Sequence, residues 1–240
     1  MTSAANLDGV DAVILAGGAG TRLRDAVPDR PKAMALVGGR PFLSYLLDQL
    51  SRFGARCAVL ALGRGHARIE AYAASRGQAP PLLRTIVEPE PRGTGGALAG
   101  AAALTASSTV LVMNGDTYAD VDLAAFLASH RSRGAAFSVA TAVVDDDSRY
   151  GLVRSDAAGR LLGFDEKPAG SGGGRASAGI CLVERSLLEA IPAGRALSLE
   201  RDLLPRWPGG YAWDTNGHFL DIGTPESYAR AEDFLRRATA

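Results

Sequence analysis

The string Leu15-Ala16-Gly17-Gly18-Ala19-Gly20-Thr21-Arg22-Leu23 overlaps the end of the apolar run Val10–Leu15, and Pro31-Lys32 lies a few residues beyond it. The apolar run reads as a short buried strand. Three glycines within four positions let the backbone turn sharply after it and aim several N–H groups at one anion. Arg22 and Lys32 put positive charge beside that cradle. Together they make a candidate phosphate site at the end of the first strand. Taken alone, the loop is equally consistent with a tight strand-to-helix turn that binds nothing.

Two better-known glycine loops are excluded by spacing. A dinucleotide fingerprint needs G-x-G-x-x-G, but counting from Gly18 the third glycine position holds Leu23. The P-loop string G-x-x-x-x-G-K-[ST] does not occur in the chain.

Elsewhere in the first half, apolar runs at Cys57–Leu62, Arg84–Val87 and Val110–Met113 alternate with helix-length segments at Pro41–Phe53, His66–Ser75 and Gly96–Ala106. In the first of these helices Phe42, Tyr45, Leu46, Gln49 and Leu50 recur at three-to-four spacing, which predicts one face packed on a sheet. Strand–helix alternation of this kind builds a mixed, mostly parallel α/β sheet flanked by helices, with its ligand crevice at the carboxyl ends of the strands. In the second half, Phe137–Val144, Tyr150–Arg154, Arg160–Phe164 and Ala176–Val183 are extended runs joined by short turns, read as added strands, some antiparallel. Gly170–Gly174 reads as a connector, and a last helix is expected from Thr224 to Arg237.

With 240 residues the chain can bury a sizeable core as one domain, 1–240. Its 26 basic residues balance its 26 acidic ones, so no general basic surface suggests a nucleic-acid partner. Cys57 and Cys181 sit inside apolar runs and read as buried free thiols. Met1–Gly9 shows no signal pattern and no apolar run reaches membrane-spanning length. These features predict a soluble, cytoplasmic protein without a membrane partner; whether it forms a homo-oligomer is left open.

Carboxylates appear where a crevice is expected. Asn114-Gly115-Asp116 follows the run Val110–Met113, and the glycine allows close approach of a ligand. Asp221 lies between Leu220 and Ile222, where an unpaired charge is costly, so it needs a cation or donor. The following Thr224-Pro225 is explained as a helix start. Asp116 and Asp221, with triphosphate oxygens and water, suit octahedral Mg²⁺. Glu166-Lys167-Pro168 ends another extended run, either as a solvated turn or as a clamp for a second phosphate. Glu88-Pro89-Glu90-Pro91-Arg92-Gly93-Thr94-Gly95-Gly96 is a stiff segment that can pack flat on a base, with Thr94 and backbone groups reading its edge.

In order and spacing these pieces, from Ala12 to about Ala231, resemble the sugar-1-phosphate nucleotidyltransferases. That family joins a nucleoside triphosphate to a sugar 1-phosphate on a single Rossmann-like, glycosyltransferase-A-like domain. Asn-Gly-Asp-Thr-Tyr, Tyr150-Gly151 and Ser198-Leu199-Glu200-Arg201-Asp202-Leu203-Leu204-Pro205 look most like the D-glycero-α-D-manno-heptose 1-phosphate guanylyltransferases. Mannose-1-phosphate guanylyltransferases, glucose-1-phosphate thymidylyl- or cytidylyltransferases and N-acetylmuramate-1-phosphate uridylyltransferases share the core motifs.

The resemblance implies a nucleotide part over about 9–120 and a sugar-phosphate part over about 121–240. Leu15, Ala16, Gly17, Gly18, Gly20 and Thr21 would cradle GTP, with Arg22 on the leaving phosphates and Lys32 on the α-phosphate. Glu88, Gly93, Thr94, Asn114 and Gly115 would complete the nucleotide site. Asp116 and Asp221 would hold Mg²⁺. Lys167 would bind the sugar phosphate, with Asp116, Tyr150, Gly151, Glu166 and Ser177 around the sugar. Ser177 is a departure, since the family often carries Asn before this Ala-Gly-Ile strand, and a sugar contact there is lost or bridged by water. The products would be an NDP-sugar, for bacterial surface glycans, and pyrophosphate. The chemistry needs no protein nucleophile, in keeping with scattered His66, His130 and His218 read as surface or packing residues. The rivals are a silent nucleotide-sugar sensor on the same fold, which would lack some of the four charged residues Arg22, Lys32, Asp116 and Asp221, and a dinucleotide-dependent oxidoreductase.

Overall fold

The computed structural model describes residues 6–18, 20–23, 26–144, 151–165, 173–215 and 217–239, without the side chains of Thr21 and Asp165. Tyr150, Glu166, Lys167 and part of the expected Gly170–Gly174 connector lie outside those residues.

Four parallel strands from the first half of the chain form one side of the sheet: β1 (Asp11–Ala16), β4 (Cys57–Leu62), β5 (Leu82–Val87) and β6 (Thr109–Asn114), in the order β6-β1-β4-β5. Their side chains alternate between two buried layers, so they read as continuous apolar runs rather than as a half-wet pattern. On one face Ala12, Ile14, Leu60 and Met113 meet α1 (Phe42–Arg52), through its buried Leu43, Leu46 and Leu50. On the other, Val13, Val59 and Val112 meet α3 (Gly93–Ala102) through Ala97, Leu98 and Ala101.

The second half extends this sheet through β11 (Gly174–Glu184), which runs antiparallel to β6, to β8 (Phe137–Val144) and to β9 (Leu152–Ser155). β10 (Leu161–Asp165) pairs β9, and β12 (Gly210–Asp214), which was not anticipated, pairs β8 in parallel. Two short strands, β7 (Thr117–Ala119) and β13 (Phe219–Asp221), form a separate antiparallel pair at the carboxyl end of β6. The small β2 (Leu36–Val37) and β3 (Arg40–Pro41) pair just ahead of α1. α2 (His66–Ser75) follows β4, α4 (Leu123–Ser132) follows β7, and α5 (Arg185–Glu189) follows β11. Among the described residues no helix is long and apolar enough to cross a membrane.

Three expected boundaries shift for physical reasons. Pro41 is the N-cap of α1 rather than its first helical residue. α3 begins at Gly93, three residues before the expected Gly96, because its glycines are helical. A Cβ on Gly95 would lie 3.0 Å from the Leu197 carbonyl oxygen, so the bare turn permits close packing that offsets glycine's weak propensity. The last helix breaks at Arg230 into α6 (Pro225–Ala229) and α7 (Ala231–Ala238).

His130, only 2 % exposed, is a packing residue. Its Nδ1 lies 2.9 Å from Ser138 Oγ and its Nε2 3.1 Å from Glu184 Oε1, which also accepts from Thr109 Oγ1 at 2.6 Å. The line Ser–His–carboxylate resembles a hydrolase triad, but Ser138 is itself 2 % exposed inside β8, so no substrate reaches it. Glu184→Ala strands two buried donors and is expected to cost about 1–3 kcal/mol, read as a lower melting temperature with unchanged catalysis. His66 pairs with Glu70 on the surface at 2.8 Å, and His218 is exposed. The free Cys57 and Cys181 thiols are both pushed up in pKa, first by burial.

Candidate active site

β1 ends at the glycine loop, and that end is wedged between two neighbours. On one side Gly17 lies back to back with Gly63, at the end of β4: a Cβ on Gly63 would sit 2.5 Å from the Gly17 carbonyl oxygen. On the other, the Gly115 N–H donates to the Leu15 carbonyl at 2.9 Å, and a Cβ on Gly115 would sit 2.8 Å from that oxygen. The ends of β4, β1 and β6 therefore form one tight edge, as expected for a crevice at strand carboxyl termini.

Asp116 stands at this edge. Lys32, carried on the short 3-10 turn Lys32–Met34, runs its stem over Gly20 and donates from Nζ to Asp116 Oδ2 at 2.9 Å. Both side chains are partly buried, 16 % and 32 % exposed, so the pair faces solvent through the crevice. Thr117 Oγ1 lies 3.4 Å from Asp116 Oδ1. Arg22 is exposed on the 3-10 turn Thr21–Leu23, held by the Leu23 N–H donating to the Gly20 carbonyl at 3.1 Å.

Asp221 reaches the same place by strand pairing. In the β7–β13 ladder it lies opposite Thr117, and the Ile222 N–H donates to the Asp116 carbonyl at 2.9 Å. Asp221 Oδ1 accepts from the Gly223 N–H at 2.5 Å. The two residues are thus brought to neighbouring backbone positions by a ladder that apolar periodicity did not reveal. As all-oxygen donors they fit a hard divalent cation. Among the described residues no group of three or more His, Cys, Asp or Glu side chains could hold a metal.

On the sugar side, Gly151 precedes β9, whose Leu152 pairs with Ala176 of β11. Ser177 is therefore one residue from that contact, and the bulge after it carries Gly179, which packs on Asn114 and Thr117. Ser177 Oγ lies 3.4 Å from the Gly179 N–H.

Glu88 follows β5 directly, its N–H donating to the Leu62 carbonyl at 2.9 Å. Burial pushes its carboxyl above the usual carboxylate range, against the opposing pull of the Arg92 cation and N–H. Thr94 is held by two hydrogen bonds. Its hydroxyl accepts from the Leu199 N–H at 2.7 Å and donates to Glu200 Oε2 at 3.0 Å. That hydroxyl clips α3 onto the π-helical turn Leu199–Leu203. Ser198 and Glu200, quoted only as part of a string, are thereby positioning residues for the first turn of α3.

Comparison with known proteins follows this geometry. A family model described as nucleotidyl transferase matches residues 11–238. The chain is 33% identical over 236 residues to a mannose-1-phosphate guanylyltransferase of Mycobacterium tuberculosis, covering 96% of this chain and 66% of that protein. It is 33% identical over 230 residues to the D-glycero-alpha-D-manno-heptose 1-phosphate guanylyltransferase of Aneurinibacillus thermoaerophilus, covering 95% of this chain and 99% of that one. Among solved structures, HddC from Yersinia pseudotuberculosis complexed with GMP-PN superposes with a TM-score of 0.83 at 33% identity, over 93% of this chain and 98% of that chain.

Proposed function

The chain belongs to the nucleotidyl transferase family, and from that premise we propose that it transfers guanylyl from GTP to D-glycero-α-D-manno-heptose 1-phosphate, releasing pyrophosphate. The observation that carries transfer is the convergence of the glycine loop, the Lys32–Asp116 pair at 2.9 Å and Asp221 on one strand edge. A site made of cations, carboxylates and backbone N–H groups, without a nucleophile, suits in-line displacement at phosphorus.

A phosphate oxygen of the sugar 1-phosphate attacks the α-phosphorus, the bond from that phosphorus to the bridging oxygen breaks, and its electron pair leaves with pyrophosphate. Lys32 turns from Asp116 to the α-phosphate, where its charge offsets what builds up in the transition state. Arg22 and the glycine-loop N–H groups hold the outer phosphates. Mg²⁺ held by Asp116 and Asp221 would supply Lewis-acid polarisation of the α-phosphate. Lys167, with Glu166 and Tyr150, is assigned to the sugar phosphate from the motif.

Guanine is supported by Glu88. Its carboxylate has two acceptor oxygens, which match the paired donors N1–H and 2-amino of guanine; adenine and cytosine offer no such pair. Glu88→Gln is expected to weaken GTP by about 10–100-fold and leave other nucleoside triphosphates unchanged. Because burial raises the carboxyl pKa, ionised Glu88 penalises the folded state at neutral pH. The same variant should therefore melt slightly higher at pH 7, and that gain should vanish as pH falls below the unfolded carboxylate pKa.

Equal identity to the mannose enzyme supports mannose 1-phosphate as the second reading. A matrix of five nucleoside triphosphates against heptose, mannose and glucose 1-phosphates, scored by pyrophosphate release, decides between them. Tight nucleotide-sugar binding without turnover in any cell of the matrix would instead identify a sensor.

A further inference from the structure

Beside the glycine loop, on the α2 side, lies a cavity of about 370 Å³ whose arginine-bearing wall the motifs do not assign. Gly18, Gly20 and Lys32 form one wall, and Arg30, Arg64 and Arg68 line the others. Among the described residues, four cations thus face it against one carboxylate, Asp29. That carboxylate is already used: Arg30 binds it through Nε and Nη2, both at 3.1 Å, and Arg68 Nη2 lies 3.8 Å away. Lys32 is paired with Asp116, and Arg64 has no ion pair among the described residues. In a chain with no net charge this concentration is local and calls for an anion. The wall formed by Gly18, Gly20 and Lys32 joins the cavity directly to the glycine loop.

We propose that this cavity takes the β,γ-diphosphate of the nucleoside triphosphate, and then the pyrophosphate it becomes, with Arg64 and Arg68 as ligands. The proposal rests on the nucleotidyl-transfer reading and adds two residues to it. As the bond between the α-phosphorus and its bridging oxygen breaks, negative charge grows on the leaving diphosphate. Guanidinium groups placed there stabilise that charge, and their planar forks suit phosphate oxygens.

Two measurements test it on the full chain. In the first, magnesium pyrophosphate alone is titrated into wild type, Arg64→Ala, Arg68→Ala and the double variant, with binding read by calorimetry. Each single change should weaken binding by about tenfold, and Arg64→Lys should recover part of the loss. In the second, the reverse reaction is followed: KM for pyrophosphate should rise by a similar factor while KM for the nucleotide sugar stays within about twofold. Pyrophosphate binding and KM in the double variant equal to wild type would overturn the assignment. The binding arm needs no turnover, so loss of the transfer reading and loss of the cavity assignment are separately visible. Both arginines are exposed, and a melting curve confirms that each variant folds.

Discussion

Asp116→Asn is expected to lower pyrophosphate release by about a thousandfold while leaving the fold intact. The carboxylate has two tasks at one point: it accepts from Lys32 Nζ at 2.9 Å, and it is proposed to hold the cation together with Asp221, which lies opposite Thr117 in the neighbouring ladder. The amide has the same shape, so the loss is one of charge. Removing one preorganised electrostatic group from such a site costs about 10²–10³ in kcat, and here the proposed metal ligand and the partner of Lys32 go together. Stability tells a different story. The Lys32–Asp116 pair is partly open to water, and such ion pairs contribute about 0–1 kcal/mol. The strand end depends instead on backbone: the Asp116 carbonyl still accepts from Ile222, and Gly115 still donates to Leu15. Circular dichroism and melting temperature should therefore match wild type. Asp221→Asn should fall by a similar factor. Retention of more than a tenth of the activity by Asp116→Asn would place the chemistry elsewhere.

The sequence was most legible where burial is two-sided. Cys57–Leu62 and Phe137–Val144 match their strands residue for residue, because a strand covered on both faces has no polar register to blur its ends. It was least legible where tertiary contact overrides local preference. Gly93-Thr94-Gly95-Gly96 reads as loop, yet packing on Leu197 and the Thr94–Leu199 clip make it the first turn of α3. The ladder that joins Asp116 to Asp221 is built of three-residue strands too short to carry a periodic signal, so the two were paired in advance by the chemistry of carboxylates after apolar runs and not by a visible strand pattern. Arg64 and Arg68, just before and within α2, belong to no motif. Their significance is concavity, which no one-dimensional pattern records.

Gly63→Ala is the second large effect expected, and it separates two reasons for glycine at this edge. The new methyl would sit 2.5 Å from the Gly17 carbonyl oxygen and 3.1 Å from its Cα, atoms of a neighbouring strand that cannot rotate aside. The ends of β1 and β4 must therefore part. Overpacking of this kind costs about 1–3 kcal/mol, or a fall of several degrees in melting temperature. The displaced strand end is the base of the phosphate loop, and misplacement by about 1 Å costs on the order of a hundredfold in rate. Gly18→Ala is the contrast. A Cβ there meets nothing within 4 Å, so melting should not change. Its methyl would instead project from the surface that the triphosphate is proposed to cover, beside the cavity holding Arg64 and Arg68. Nucleotide KM should then rise in a protein as stable as wild type. If both variants lost stability alike, the loop's glycines would be serving the turn rather than a ligand. Loss of stability in Gly63→Ala alone, with nucleotide affinity lost in both, is the pattern that a phosphate cradle wedged between two strand ends requires.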